Sequence, residues 1–271
     1  MIISDIDRTF LGSRQQVLPE NVRAIREAQA AGIQFSFGTG RCWPSLRELM
    51  EGVPLHGFQV VDDGATVVDA DGWRVLSAAV LPEEAVRLTW ELSRRHGFVP
   101  ILGLPDTYYG FEVDEGTRED MRCHREYVTD CASVEELLSH AGQCCKVVYF
   151  AVARDIPARQ AFAGELARQF AARGLPVHVG FAEPEIIVVS CAWVNKMTGI
   201  GQVCRLMGCT PAEVVAIGDA DNDAEMLAGC GLGIAVGNGT EAARAAATHV
   251  VATCDEGGVA QAIRLVLEGK I

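Results

Sequence analysis

The chain has 271 residues, enough for one large domain or two modest ones, and 49% of them are hydrophobic, enough for a sizeable core. Its formal net charge of -13 argues against nucleic acid and anionic membranes as partners, and means that any anion site needs local positive charge. No apolar run approaches the ~20 residues of a membrane span, and no basic stretch precedes an apolar one at the N-terminus, so neither a span nor a signal peptide is expected.

Ten cysteines, at 42, 123, 131, 144, 145, 191, 204, 209, 230 and 254, form no C-x-x-C pair and no zinc-type Cys/His spacing. They read as reduced thiols of a cytoplasmic protein, many of them small buried hydrophobes. The vicinal pair Cys144-Cys145 is read as structural rather than redox-active.

In chain order, Met1–Ser4 reads as a short apolar strand that runs out into Asp5-Ile6-Asp7-Arg8-Thr9. A helix follows from Pro19 to Ala31, with Val22, Ile25 and Ala28 on one face and Gly32 as its stop. Ile33–Phe37 is a second strand, ending in Gly38-Thr39-Gly40-Arg41. Phe58–Val61 is a third, ending in Asp62-Asp63-Gly64. Val67–Asp69 and Trp73–Leu76 form a hairpin around Ala70-Asp71-Gly72.

The middle of the chain changes style. Helices are expected over Pro82–His96, with Pro at its start and Gly97 at its end, and over Ala158–Arg173. Strands are expected over Lys146–Val152, Pro176–Gly180 and Glu185–Val189. The first style then returns. A helix runs over Asn195–Met207, a strand over Val214–Ile217, and Gly218-Asp219-Ala220-Asp221-Asn222-Asp223 follows it. Strands over Gly231–Val236 and His249–Val251 and a helix over Gly257–Leu267 close the chain. The fold class is therefore α/β: a Rossmann-like parallel-sheet core made of 1–79 and 189–271, with a large α+β unit, 80–188, inserted between its halves.

Four strand ends carry polar residues: Asp5/Asp7/Thr9, Thr39/Gly40/Arg41, Asp62/Asp63 and Asp219/Asp221/Asn222/Asp223. A parallel sheet lines such ends along one edge, where open α/β proteins place their chemistry. Carboxylates gathered there repel one another strongly, so the cluster calls for a cation, and an oxygen-only donor set favours Mg²⁺ over zinc or copper.

The series Asp5-Ile-Asp7-Arg-Thr9, Thr39-Gly-Arg41, Lys196 and Gly218-Asp219-Ala-Asp-Asn222-Asp223, with Ala235-Val-Gly-Asn238 and Glu256-Gly-Gly-Val259-Ala in support, resembles the haloacid dehalogenase superfamily. Within it the likeness is to Cof-type phosphatases, whose core carries a large inserted cap. The likeness covers nearly the whole chain. It implies a Mg²⁺-dependent phosphoric monoester hydrolase acting on a small-molecule phosphate ester, with a sugar phosphate as the leading class, in a monomer or homodimer. It makes Asp5 the nucleophile that becomes an aspartyl-phosphate and Asp7 the acid and then the base. The metal would be held by the Asp5 carboxylate, the Asp7 carbonyl and Asp219, with Asn222 and Asp223 completing or orienting that shell. Thr9, Thr39, the Gly40 N–H, Arg41 and Lys196 would meet the phosphoryl group. Asn238 is expected to fix a turn, and Gly103–Glu112, with Tyr108, Tyr109 and Phe111, either faces the site or is a plain surface strand.

Two positions depart from the family pattern. Arg8 stands where Gly is common, and the expectation is a backbone there that accepts a side chain without a positive φ. Asp63-Gly64-Ala65 stands where similar proteins carry Asn-Gly-Ala. Other readings stay open at this point: a phosphomutase using the same Asp5/Asp7 pair, a receiver-like signalling module, and a non-catalytic binding protein on the same fold. A dehalogenase is disfavoured, because it needs no acid at Asp7.

Overall fold

Strand Ile2–Ser4 is buried along its whole length, as befits a central parallel strand rather than an alternating edge. In the computed structural model, which describes residues 1–150, 155–183 and 186–271, it pairs in parallel with Phe35–Phe37 on one side and Val215–Gly218 on the other. Leu232–Ala235 and His249–Val250 extend the sheet, also in parallel. The register sets Ser4 beside both Phe37 and Ile217, so the residues after each strand leave from one edge. Phe58–Val61 joins through a single bridge between Gly38 and Val60 and forms its own sheet with Thr66–Asp69 and Arg74–Ala78.

These strands belong to a compact unit made of Met1–Thr39, Met50–Leu76 and Asn195–Ile271. Helix Pro19–Ala30 begins with Pro at its first position, where no intrahelical N–H bond is lost, and packs on helix Gly258–Leu267. Asn21, fully buried between them, donates to the Phe10 carbonyl (2.9 Å) and accepts from the Ala260 N–H (3.0 Å). A buried amide so satisfied fixes the loop after Asp5 to the closing helix. Phe10 also meets Phe37 edge-on, with ring centroids 4.9 Å apart.

The second compact unit comprises Gly40–Leu49 and Ser77–Val194. Its six-stranded sheet runs Val177–Glu183, Ile186–Cys191, Lys146–Tyr149, Ile101–Gly103, Tyr108–Gly110, Val128–Asp130. It is antiparallel except for the last pair. One face, with Val147, Tyr149, Ile187 and Val189, packs on helices Glu83–His96 and Ile156–Ala172 through Leu88, Leu92, Phe162, Leu166 and Phe170. The other carries Ile101, Tyr108, Val148 and Phe150, with Met121 of helix Glu115–Cys123. This alternation is the period-two signature of a strand covered on both faces.

The parallel core and the separate mostly antiparallel sheet are the expected architecture. The division of the chain differs from the sequence reading at 77–79 and 189–194, which group with the second unit, and at 40–49. That segment groups with the second unit, where Cys42 packs with Ile101, Tyr108 and Val148, and it carries a helix, Trp43–Leu49, absent from the sequence reading. The expected strand end at 151–152 and strand start at 185 lie outside the described residues. All ten cysteines are thiols, with no disulfide among them. Cys144 and Cys145 are buried, the Cys144 thiol donates to the Lys146 carbonyl (3.1 Å), and burial pushes its pKa up, in keeping with a packing role. Among the described residues no helix is long and apolar enough to cross a membrane. Tyr109 stacks on His140 (3.8 Å) and Phe111 packs near Trp90 (6.1 Å), so the aromatics of 103–112 are engaged within the second unit.

Leu166 is fully buried between helix and sheet. Leu166→Ala is expected to lower stability by about 2–5 kcal/mol, read from the urea midpoint of the second unit. A change below about 1 kcal/mol would show that the helix is not held by this core.

Candidate active site

Asp5 continues directly from the first strand, its N–H bonded to the Ile217 carbonyl of the neighbouring strand (2.8 Å). Asp219 stands at the matching place after Val215–Gly218, and Thr9 donates to its Oδ1 (2.7 Å). Asp223 lies in the short turn Asp221–Asp223, and its Oδ2 accepts from the N–H groups of Asp219 (2.9 Å) and Ala220 (3.0 Å). Gly218 is needed for this arrangement, because a Cβ there would lie 2.7 Å from the Asp223 carboxylate.

Lys196 reaches the same place from helix Lys196–Met207. Asn195 caps that helix, accepting from the Thr198 N–H (2.9 Å) while its own N–H donates to the Thr198 hydroxyl (3.2 Å). A cation in the first turn opposes the helix dipole, so other charges must offset it. They do: Lys196 Nζ lies 2.6 Å from Asp5 Oδ1 and 2.6 Å from Asp223 Oδ1, and all three side chains are buried.

Among the described residues Asp5, Asp219 and Asp223 form the close carboxylate set, with one oxygen of each within 4.8 Å of the others. Three carboxylates thus face one ammonium. Burial pushes the Asp5 carboxyl well above its ordinary pKa; Lys196 pulls it down, while Asp223 and Asp7 add repulsion. Asp219 is raised too, mainly by burial, against the Thr9 hydrogen bond. For Lys196, burial acts downward, but Asp223 and Asp5 outweigh it and hold the ammonium above the usual lysine value. The set carries more negative charge than its lysine neutralises and offers only hard oxygen donors, which fits Mg²⁺.

The other residues singled out in the sequence fall in different places. Asp7 is half-buried, outside the close set, yet near enough to Asp5 to repel its carboxylate. Thr39 is buried, with its N–H on the Val60 carbonyl (3.0 Å) and its own carbonyl accepting from Asp63 (2.9 Å). The Asn222 amide is exposed and donates to Asp63 Oδ1 (3.2 Å). Gly40 and Arg41 belong to the second unit, where Arg41 Nη1 donates to the His124 carbonyl (2.7 Å) and to Ser45 Oγ (3.3 Å).

Two sequence expectations change. Arg8 adopts φ 59°, ψ 9°, so this position does need the left-handed region, and a non-glycine residue bears its strain. Its positive charge acts favourably on Asp219. Asn238 does more than fix a turn: its amide donates to the Arg8 carbonyl (2.8 Å) and its oxygen accepts from the Cys254 N–H (2.7 Å). It braces the strained loop, a role that no local pattern around Gly237-Asn238-Gly239 announces.

Comparison with known proteins follows the same line. The family model of the haloacid dehalogenase-like hydrolases matches residues 2–263. A 5-amino-6-(5-phospho-D-ribitylamino)uracil phosphatase of Bacillus subtilis is 27% identical over 264 residues, covering 97% of this chain and 94% of its own. A phosphoglycolate phosphatase of Methanopyrus kandleri is 28% identical over 272 residues, covering 99% and 97%. A solved haloacid dehalogenase-like hydrolase from Bacteroides thetaiotaomicron shares the fold with a TM-score of 0.86 at 22% identity over 98% of both chains.

Gly64 sits at φ +98°, and a Cβ there would lie 1.9 Å from the Asn195 carbonyl, at the cap of the helix that delivers Lys196. Gly64→Ala combines an unfavourable φ with a backbone clash, so a loss of more than about 1 kcal/mol in thermal or urea unfolding is expected. Unchanged stability would mean that this close approach is not needed.

Proposed function

We propose that this chain, which belongs to the haloacid dehalogenase-like hydrolases, is a Mg²⁺-dependent phosphatase of a small phosphorylated metabolite that works through a phosphorylated Asp5. Its activity as a phosphoric monoester hydrolase follows from the family and from relatives named as phosphatases. The observation that carries the mechanistic reading is the Asp5 carboxylate: buried at a strand end, 2.6 Å from an ammonium, and in a close set with Asp219 and Asp223. Sugar phosphates are the leading substrate class, as the resemblance implies.

The Asp5 and Asp219 carboxylates, with the Asp7 carbonyl, would hold Mg²⁺; Asp223 orients Lys196 and the Asp219 peptide, and Asn222 is kept by Asp63. Bound there, Mg²⁺ would neutralise phosphoryl charge.

An Asp5 oxygen attacks phosphorus and the bond to the leaving alkoxide breaks. Asp7 gives that alkoxide its proton. Asp7, now a carboxylate, takes a proton from water, whose oxygen attacks the phosphorus of the aspartyl-phosphate. The bond to Asp5 breaks, and inorganic phosphate and free Asp5 result. Lys196, Thr39 and the Gly40 N–H hold the non-bridging oxygens, with Arg41 as a further cation, while Thr9 keeps Asp219 aligned. The resemblance implies that the inserted unit is the part that selects the leaving group.

Phosphate release from sugar phosphates, nucleotides and p-nitrophenyl phosphate is expected with Mg²⁺, and its loss with EDTA or in Asp5→Asn. No release from any ester by folded protein, or release that survives Asp5→Asn, would overturn the reading. Burial raises both Asp5 and Asp219, so protons compete for the carboxylates that bind the cation. Mg²⁺ affinity should therefore rise with pH through their raised titration range, and binding should release protons into weakly buffered solution, measured calorimetrically. Binding without proton release across that range would contradict the ligand assignment.

A further inference from the structure

Asn238 stands outside the carboxylate set, and the chemistry above does not use it. Strand Leu232–Ala235 runs into a tight turn over 236–239, closed by the Gly239 N–H on the Val236 carbonyl (2.9 Å). The next N–H, of Thr240, donates to the Asp219 carbonyl (2.7 Å), so the turn lies against the end of the neighbouring strand. Asn238 is half-buried in this turn, and both ends of its amide are used. Its Oδ1 accepts from the Cys254 N–H (2.7 Å), and its Nδ2 donates to the Arg8 carbonyl (2.8 Å). The amide cannot be reversed, because a backbone N–H only donates and a backbone carbonyl only accepts. The Cys254 side is itself held. The Gly237 N–H donates to the Ala252 carbonyl (3.1 Å), and Glu256 accepts from both the N–H (3.2 Å) and the hydroxyl (2.7 Å) of Thr253.

The bond to the Arg8 carbonyl orients the peptide between residues 8 and 9, which leads directly to the Thr9 Cα. Arg8 lies in the left-handed region, unfavourable for a residue with a Cβ, so contacts from outside must offset its strain. Thr9 is fully buried, and its Oγ1 donates to Asp219 Oδ1 (2.7 Å). The Asp219 main chain is fixed separately, its N–H on Asp223 Oδ2 (2.9 Å) and its carbonyl on Thr240. What remains is the rotation of the Asp219 side chain. The Thr9 hydroxyl sets it by holding one oxygen, so the other is presented in one direction. All of these residues belong to the first unit.

We propose that Asn238 is a positioning residue for the cation site: through the 8–9 peptide and the Thr9 hydroxyl, it fixes the direction in which Asp219 presents its carboxylate to a divalent cation. The proposal rests on the assignment of Asp219 to that cation. Asn238 is no ligand and takes no part in bond making. Removing the hydrogen-bonding groups behind a metal ligand typically costs about ten- to hundredfold in metal affinity, which gives the role a readout that needs no turnover.

The test uses the full chain without substrate and reads Mg²⁺ affinity by calorimetry. Asn238→Asp keeps the shape and the acceptor for Cys254 but loses the donor to Arg8. Thr9→Val keeps the shape but loses the donor to Asp219. Asn238→Asp is expected to weaken Mg²⁺ binding about tenfold or more. Its added negative charge alone would strengthen cation binding, so weakening identifies the lost bond to Arg8. Thr9→Val is expected to weaken binding at least as much, and the double variant no further than Thr9→Val alone, because both substitutions cut one chain of contacts. Affinity at or above the wild-type value in Asn238→Asp would overturn the proposal. So would weakening factors that multiply in the double variant, since Asn238 would then act by another route. An Asn238→Asp protein whose near-UV circular dichroism shows lost packing would assign Asn238 to stability alone and overturn it too. Wild-type protein that binds no Mg²⁺ would overturn the cation site itself, whereas wild-type binding left unchanged by Asn238→Asp would overturn only the role of Asn238.

Discussion

One ammonium shared by two carboxylates sets the geometry of the site. Lys196 is 2% exposed, and its Nζ lies 2.6 Å from both Asp5 and Asp223, residues separated from it by 191 and 27 positions. Burying three charges carries a large desolvation penalty, offset only when geometry and additional hydrogen bonds are good. Here the bonds exist: Asp223 uses one oxygen for Lys196 and the other for two backbone N–H groups, and Asn195 fixes the helix from which Lys196 extends. The same contacts therefore position Asp5, the ammonium and the Asp219 peptide together. Replacing Lys196 would leave buried carboxylates facing one another, so in this arrangement stability and chemistry depend on the same group.

The negative excess is the feature that turns a buried ion pair into a site. Had Lys196 matched its partners charge for charge, the cluster would read as a structural salt bridge. Asp219 adds a third carboxylate, and Asp5 and Asp219 both titrate above their ordinary values because burial penalises their charged forms. A protein that keeps such a cluster stores a demand for positive charge. A hard divalent cation is a partner of the chemistry that would answer it.

Much of this is legible in the sequence, because parallel strands expose their chemistry at one end. Apolar runs ending in Asp5, Thr39 and Asp219 already placed these residues on a common edge, and Lys196 opened a recognisable helix. The missing parts depend on partners far away in sequence. The left-handed backbone at Arg8 is imposed by a loop braced from Asn238, some 230 residues on, and nothing in Asp7-Arg8-Thr9 signals it. Segment 40–49 carries apolar residues that suit either unit, so its grouping with the second is decided by Cys42, Arg41 and Lys146 contacts rather than by local pattern. Asp63 is similar. Its place at a strand end does not show that its carboxylate accepts from Asn222 or that its N–H donates to the Thr39 carbonyl.

The nucleophile is identified by where the phosphoryl group goes. With a substrate radiolabelled in that group and the reaction stopped in acid within the first turnover, label should be found on the protein, in the peptide that contains Asp5. It should be absent from Asp5→Asn. Label on any other residue, or turnover with no protein-bound label at any time point, would contradict a nucleophilic Asp5 and the mechanism built on it.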